Sequence, residues 1–217
     1  MSSTSRNESF YQVSGRKTAH FFNTMSKNFF LIPGFRTQIS DNMYIWLFDF
    51  LKKNNYKVIA VPVEWSRSTI TQNAKDFIEY FEKYKSTENY ILGFSYGAVI
   101  ALITAEITSP KKMYLCSLSP DFSEDSQSMP LDMKKYIGKK RFLDTKTRSA
   151  EFLAKQLNIE TAIFYGEKEA LDYPPLKTRA EITAKLAKNT KLHIVKNSPH
   201  KIDFPEYINV LKKELIK

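Results

Sequence analysis

The chain has 217 residues, 42% of them apolar and 14% aromatic, which is enough to close one sizeable core without calling for a second domain. Its 33 Lys and Arg against 23 Asp and Glu give a formal charge of +10. That charge would favour a nucleic-acid or membrane surface only if it were gathered on one face. A single cysteine, Cys116, excludes a disulfide framework or a cysteine-built metal site and points to a reducing, cytoplasmic setting.

Residues 1–26 are polar, Ser-rich and without periodicity, and are expected to be a disordered arm or a cloning remnant outside the fold. They lack the basic-then-apolar layout of a secretory signal, and nowhere does the chain approach the roughly 18 consecutive apolar residues of a membrane span. From Phe29 onward, apolar strand-like runs alternate with amphipathic stretches. The expected strands are Phe29–Ile32, Lys57–Val63, Tyr90–Phe94, Lys112–Leu118, Thr161–Tyr165 and Lys191–Val195. Between them, Tyr44, Leu47, Phe48 and Leu51 form one helical stripe over Asp41–Lys53, with Asp41 or Ser40 placed to cap it. Phe77, Ile78, Phe81 and Tyr84 form a second stripe, and Ile208, Val210, Leu211 and Leu215 a third. This rhythm predicts an α/β, three-layer sandwich: a mostly parallel sheet of about six strands with helices on both faces.

One region breaks the pattern. Residues 119–149 are polar, charged and interrupted by Pro120, Pro130 and Gly138, and read as a cap inserted into the 27–217 domain. The densest basic group, Lys134, Lys135, Lys139, Lys140 and Arg141, lies there. Elsewhere lysines are scattered as on a solvated surface, with neither zinc-finger spacing nor an aromatic RNA-binding signature, so no nucleic-acid partner is expected.

The motif that carries chemistry is Gly93-Phe94-Ser95-Tyr96-Gly97, set between an apolar run and a helix-like stretch from Ala98 to Ile107. A serine at a sharp strand-to-helix turn projects its hydroxyl alone above the sheet, and flanking glycines remove the Cβ atoms that would collide there. A serine hydroxyl is a weak nucleophile and needs a base. Three histidines are available: His20 in the N-terminal arm, His193 within an alternating strand, and His200 in the loop Lys196-Asn197-Ser198-Pro199-His200 before the final helix.

Motif, element order and spacing together resemble the α/β-hydrolase family over most of residues 27–217, as a small serine esterase or thioesterase with a short cap. The resemblance implies Ser95 as nucleophile and His200 as its base. Gly166-Glu167-Lys168-Glu169 looks like the family's glycine, two residues, then acid, and makes Glu169 the first choice for the third member. Asp172 in the same loop and Asp121 after the preceding strand are the alternatives. It further implies an oxyanion hole from the backbone amides of Tyr96 and Phe35, the latter in Pro33-Gly34-Phe35-Arg36. Cap residues such as Met129, Tyr136 and Phe142 could line an acyl pocket or form the cap's own small core. The expected reaction is carboxylic ester or thioester hydrolysis on a small-molecule substrate, with no cofactor and no metal. The basic cap adds an expected preference for anionic substrates. An aminopeptidase of the same fold is one alternative, and a non-catalytic ligand- or partner-binding protein is the other.

Overall fold

The computed structural model describes residues 27–216. The N-terminal arm and His20 lie outside the described residues. Six strands form one sheet in the order β2-β1-β3-β4-β5-β6, every neighbouring pair parallel. They are β1 (Lys27–Ile32), β2 (Lys57–Ala60), β3 (Glu88–Phe94), β4 (Lys112–Cys116), β5 (Glu160–Gly166) and β6 (Thr190–Val195). Parallel neighbours need long crossovers, and here helices supply them. These are α1 (Asn42–Lys53), α2 (Ile70–Tyr84), α3 (Tyr96–Thr108), α4 (Leu131–Ile137), α5 (Lys139–Thr145), α6 (Ala150–Gln156), α7 (Glu167–Asp172), α8 (Pro174–Leu186) and α9 (Pro205–Leu215).

The period-two alternation along the strands divides the core in two. Phe30, Ile32, Ile91, Met113, Leu115 and Ile163 face one cluster with the apolar sides of α2, α3, α6 and α8. Phe29, Leu31, Leu92, Tyr114, Cys116 and Phe164 face the other, closed by Tyr44, Leu47 and Leu51 of α1 and Tyr207, Leu211 and Leu215 of α9. Both sheet faces are therefore covered, which is why the strands read as near-continuous apolar runs. Among the described residues, no helix is long and apolar enough to cross a membrane.

Two strands end earlier than their apolar runs suggest. β2 stops at Ala60: Val61 still donates to the Leu31 carbonyl at 2.9 Å, but Pro62 has no N–H to continue the ladder. β4 stops at Cys116 because Ser117 turns into the left-handed region at φ 53°. Asp41 is the residue before α1, yet its carboxylate accepts from the Gln38 amide at 2.9 Å instead of capping the helix. The 119–149 segment contains α4 and α5, and is tied back to the 64–71 loop. Lys140 Nζ donates to the Arg67 carbonyl at 2.9 Å, Arg141 Nη2 donates to the Trp65 carbonyl, and Thr71 donates to Asp144 at 2.6 Å.

Candidate active site

β3 passes into α3 with only Ser95 between them, and that residue holds φ 55°, ψ −117°. A non-glycine residue there stores on the order of 1–3 kcal/mol of backbone strain, so the surroundings must enforce it. They do so through close packing. A Cβ on Gly93 would lie 2.2 Å from the Gly97 carbonyl oxygen, and one on Gly97 would lie 2.3 Å from that of Ile32. The Ser95 amide donates to the Cys116 carbonyl at 2.8 Å, pinning the turn to β4.

His200 reaches this serine from the loop after β6. Its Nε2 is 3.1 Å from Ser95 Oγ, and its Nδ1 is 2.7 Å from Glu169 Oε2. Since an ionised carboxylate only accepts, the Nδ1–H donates to Glu169, which leaves Nε2 free to accept from the serine hydroxyl. Glu169 is 2% exposed, and its other oxygen accepts from Ser117 Oγ at 2.9 Å and from the Gly166 amide at 2.6 Å. Ser117 Oγ in turn lies 3.2 Å from Tyr207 Oη of α9. Glu169 lies in the short helix α7 rather than in an open loop. Gly166 allows that helix to touch the histidine loop, because a Cβ there would sit 2.3 Å from the Ser198 carbonyl oxygen. The same carbonyl accepts the Lys168 and Glu169 amides at 3.0 and 3.3 Å. His193 is elsewhere, stacked on Phe164 at 4.6 Å between ring centroids.

A cavity of ≈ 420 Å³ opens over the serine. Phe35 and Tyr96 both line it, and among the described residues neither backbone amide is spent on a carbonyl outside the regular elements. Tyr96 is the first residue of α3, where helical N–H groups are unsatisfied and the helix dipole favours negative charge. The loop bearing Phe35 is fixed by Tyr44 of α1: its hydroxyl accepts the Gly34 amide at 2.9 Å and lies 3.1 Å from Thr37 Oγ1. Burial pushes that phenol up to about 12.

Asp121 and Asp172 line the cavity without being bonded to His200. Asp121 is 7% exposed, and burial, assisted by the charge of Asp125, raises it to about 7. Asp125 accepts a bidentate pair from the buried Arg179 of α8, at 3.1 Å from Nε and 2.7 Å from Nη2. Of the pocket residues expected from the sequence, Tyr136 lines the cavity, joined by Met133 and Ile137. Met129 and Phe142 do not: Met129 is buried, and the Phe142 ring carries the ammonium groups of Lys134 and Lys146. The basic residues of α4 and α5 do not line it either.

Three participants have no signature in the sequence. Ser119 Oγ is 3.1 Å from Ser95 Oγ, Ser117 just beyond β4 donates to Glu169, and Tyr207 of α9 lies 3.2 Å from the Ser117 hydroxyl. Only the β3–β4 register, which sets Phe94 opposite Cys116, brings Ser117 and Ser119 to the elbow.

No family model and no curated protein matches the chain. Solved structures do. Est1E from Butyrivibrio proteoclasticus superposes with a TM-score of 0.73 at 15% identity, over 88% of this chain and 86% of that one. An esterase, EaEST, from Exiguobacterium antarcticum gives 0.66 at 16% identity, over 88% and 91%. MenH from S. aureus gives 0.62 at 17% identity, over 89% and 94%. With its parallel six-stranded sheet covered on both faces, the chain has the α/β-hydrolase fold.

Proposed function

We propose that the protein is a serine hydrolase that cleaves carboxylic ester or thioester bonds through an acyl-enzyme on Ser95. The observation that carries this reading is the unbroken chain from Ser95 Oγ through the His200 imidazole to the buried Glu169. In it, Ser95 Oγ attacks the acyl carbonyl while His200 Nε2 takes its proton. Glu169 holds the imidazole tautomer and stabilises the imidazolium. The amides of Phe35 and Tyr96 receive the oxyanion. Collapse expels the alcohol or thiol, which leaves with the proton from His200. A water then attacks the acyl-enzyme with His200 again as base, releasing the carboxylic acid and restoring Ser95. Ser119, within hydrogen-bond reach of Ser95 Oγ, has the position to orient the nucleophile between turnovers. The esterase neighbours support the reaction class at the level of fold.

Labelling by a fluorophosphonate probe, read by intact mass, tests the reading. Single-site labelling of the native protein, absent after heat denaturation and in Ser95→Ala and His200→Ala, is expected. No labelling of the folded protein would displace the reading in favour of a non-catalytic binding role.

A further inference from the structure

The catalytic chain leaves one buried carboxyl of the cavity without a task. Asp121 is 93% buried by its 7% exposure, lines the cavity above Ser95, and has no hydrogen-bond partner for its carboxylate among the described residues. An unpaired buried carboxyl is costly and normally acquires a partner. Its neighbours do not supply one: Asp125 is committed to Arg179, and Arg148, whose charge acts on Asp121, bonds Asp144 at 2.6 Å through Nη2 and leaves its buried Nη1 without a partner among the described residues.

The rest of the lining selects the sign of the missing partner. Its charged side chains are Asp121, Glu169 and Asp172 with His200, and neither lysine nor arginine takes part. Arg36 of the loop after β1 lies over the rings of Phe35 and Tyr136, and Arg141 of α5 over that of Phe35, and neither arginine is in the lining. Tyr96 and Tyr173 also line the cavity, while the Tyr136 ring already carries the Arg36 guanidinium.

We infer that Asp121 is a substrate-recognition residue, and that the cavity takes an ester or thioester whose acyl part carries a primary ammonium group bonded to the Asp121 carboxylate. The inference rests on the hydrolase reading above and deepens it. It also reverses the anionic preference suggested by the basic cap, because those lysines lie outside the cavity.

The test compares para-nitrophenyl esters of para-(aminomethyl)benzoic acid and para-ethylbenzoic acid, which differ by exchange of an ammonium for a methyl group. A charge-assisted hydrogen bond predicts a kcat/KM about tenfold or more higher for the ammonium ester. Asp121→Asn should bring the ratio to about one, with a wild-type circular-dichroism spectrum showing that the variant is folded. Asp121→Ser serves as a second variant with the same expected ratio. A wild-type ratio of one or below, or a ratio unmoved in the variants, overturns the inference. Should Ser95 neither label nor turn over either ester, the hydrolase reading fails separately, and calorimetry with benzylammonium against benzyl alcohol decides. Benzylammonium binding that disappears in Asp121→Asn supports the carboxylate's role; equal or absent binding removes it.

Discussion

Three carboxyls line the cavity, and their surroundings give them different work. Glu169 receives three donors and is held immobile, whereas Asp172 sits exposed at the end of α7. Glu169→Gln is therefore expected to lower kcat by roughly 10³–10⁴ by offering the wrong donor–acceptor pattern to the imidazole. Asp172→Asn should stay within a few-fold of wild type, and steady-state kinetics on a common ester separates the two. The elbow permits a second residue-scale prediction. Gly97→Ala places a methyl group inside the Ile32 carbonyl, so β1 and α3 must separate, at a cost of about 1–3 kcal/mol in urea denaturation. Ser95 and His200 were legible in the sequence because each stands where an apolar run meets a turn. Ser119 was not, since a serine beside a proline signals only a turn until strand register places it.

At the scale of elements, the sheet and its two covered faces follow from hydrophobic periodicity; β2 and β4 end early at Pro62 and Ser117, while β1, β3, β5 and β6 begin one or two residues before their apolar runs. The cap is where sequence reading weakens. Met129, Tyr136 and Phe142 are all apolar residues of one segment, and burial alone does not tell a pocket wall from a prop beneath it. The helix that follows shows how such a segment is anchored. Glu124 lies before α6 and accepts from Ser149 Oγ and from the Ala150 and Glu151 amides. Partial burial raises this carboxyl, but those donors outweigh it and bring it down to about 2. Because the group is partly exposed, the stabilisation is that of an ordinary N-cap. Glu124→Ala should cost about 1 kcal/mol, read as a Tm lower by about 2–4 °C. That stabilisation is present above the unfolded pKa near 4 and is lost as the pH falls toward 2.

Across the whole molecule, carboxyls removed from solvent shift in opposite directions according to their partners. Asp121 has the opposite sign to Glu124: its pKa is raised in the folded state, so its share of stability is complete below about pH 4 and declines as pH rises through about 7. The shift bounds the effect at roughly 4 kcal/mol. Thermal unfolding of Asp121→Asn at pH 8 should accordingly show a Tm above wild type, with the gap closing at pH 4; Asp125, Arg148, Tyr96 and Tyr173 are the groups that share this field. The Arg179–Asp125 pair is different, because Arg179→Ala leaves a buried charge uncompensated and should cost about 3–5 kcal/mol. One property of the sheet has a practical reach. Ser95 follows β3, whereas Glu169 and His200 follow β5 and β6, so the β4–β5 seam divides the proposed nucleophile from the proposed proton relay. A chain severed in the exposed Lys146–Thr147 turn would place half of the site on each fragment, and ester hydrolysis would then report, molecule by molecule, that two separate polypeptides had found one another.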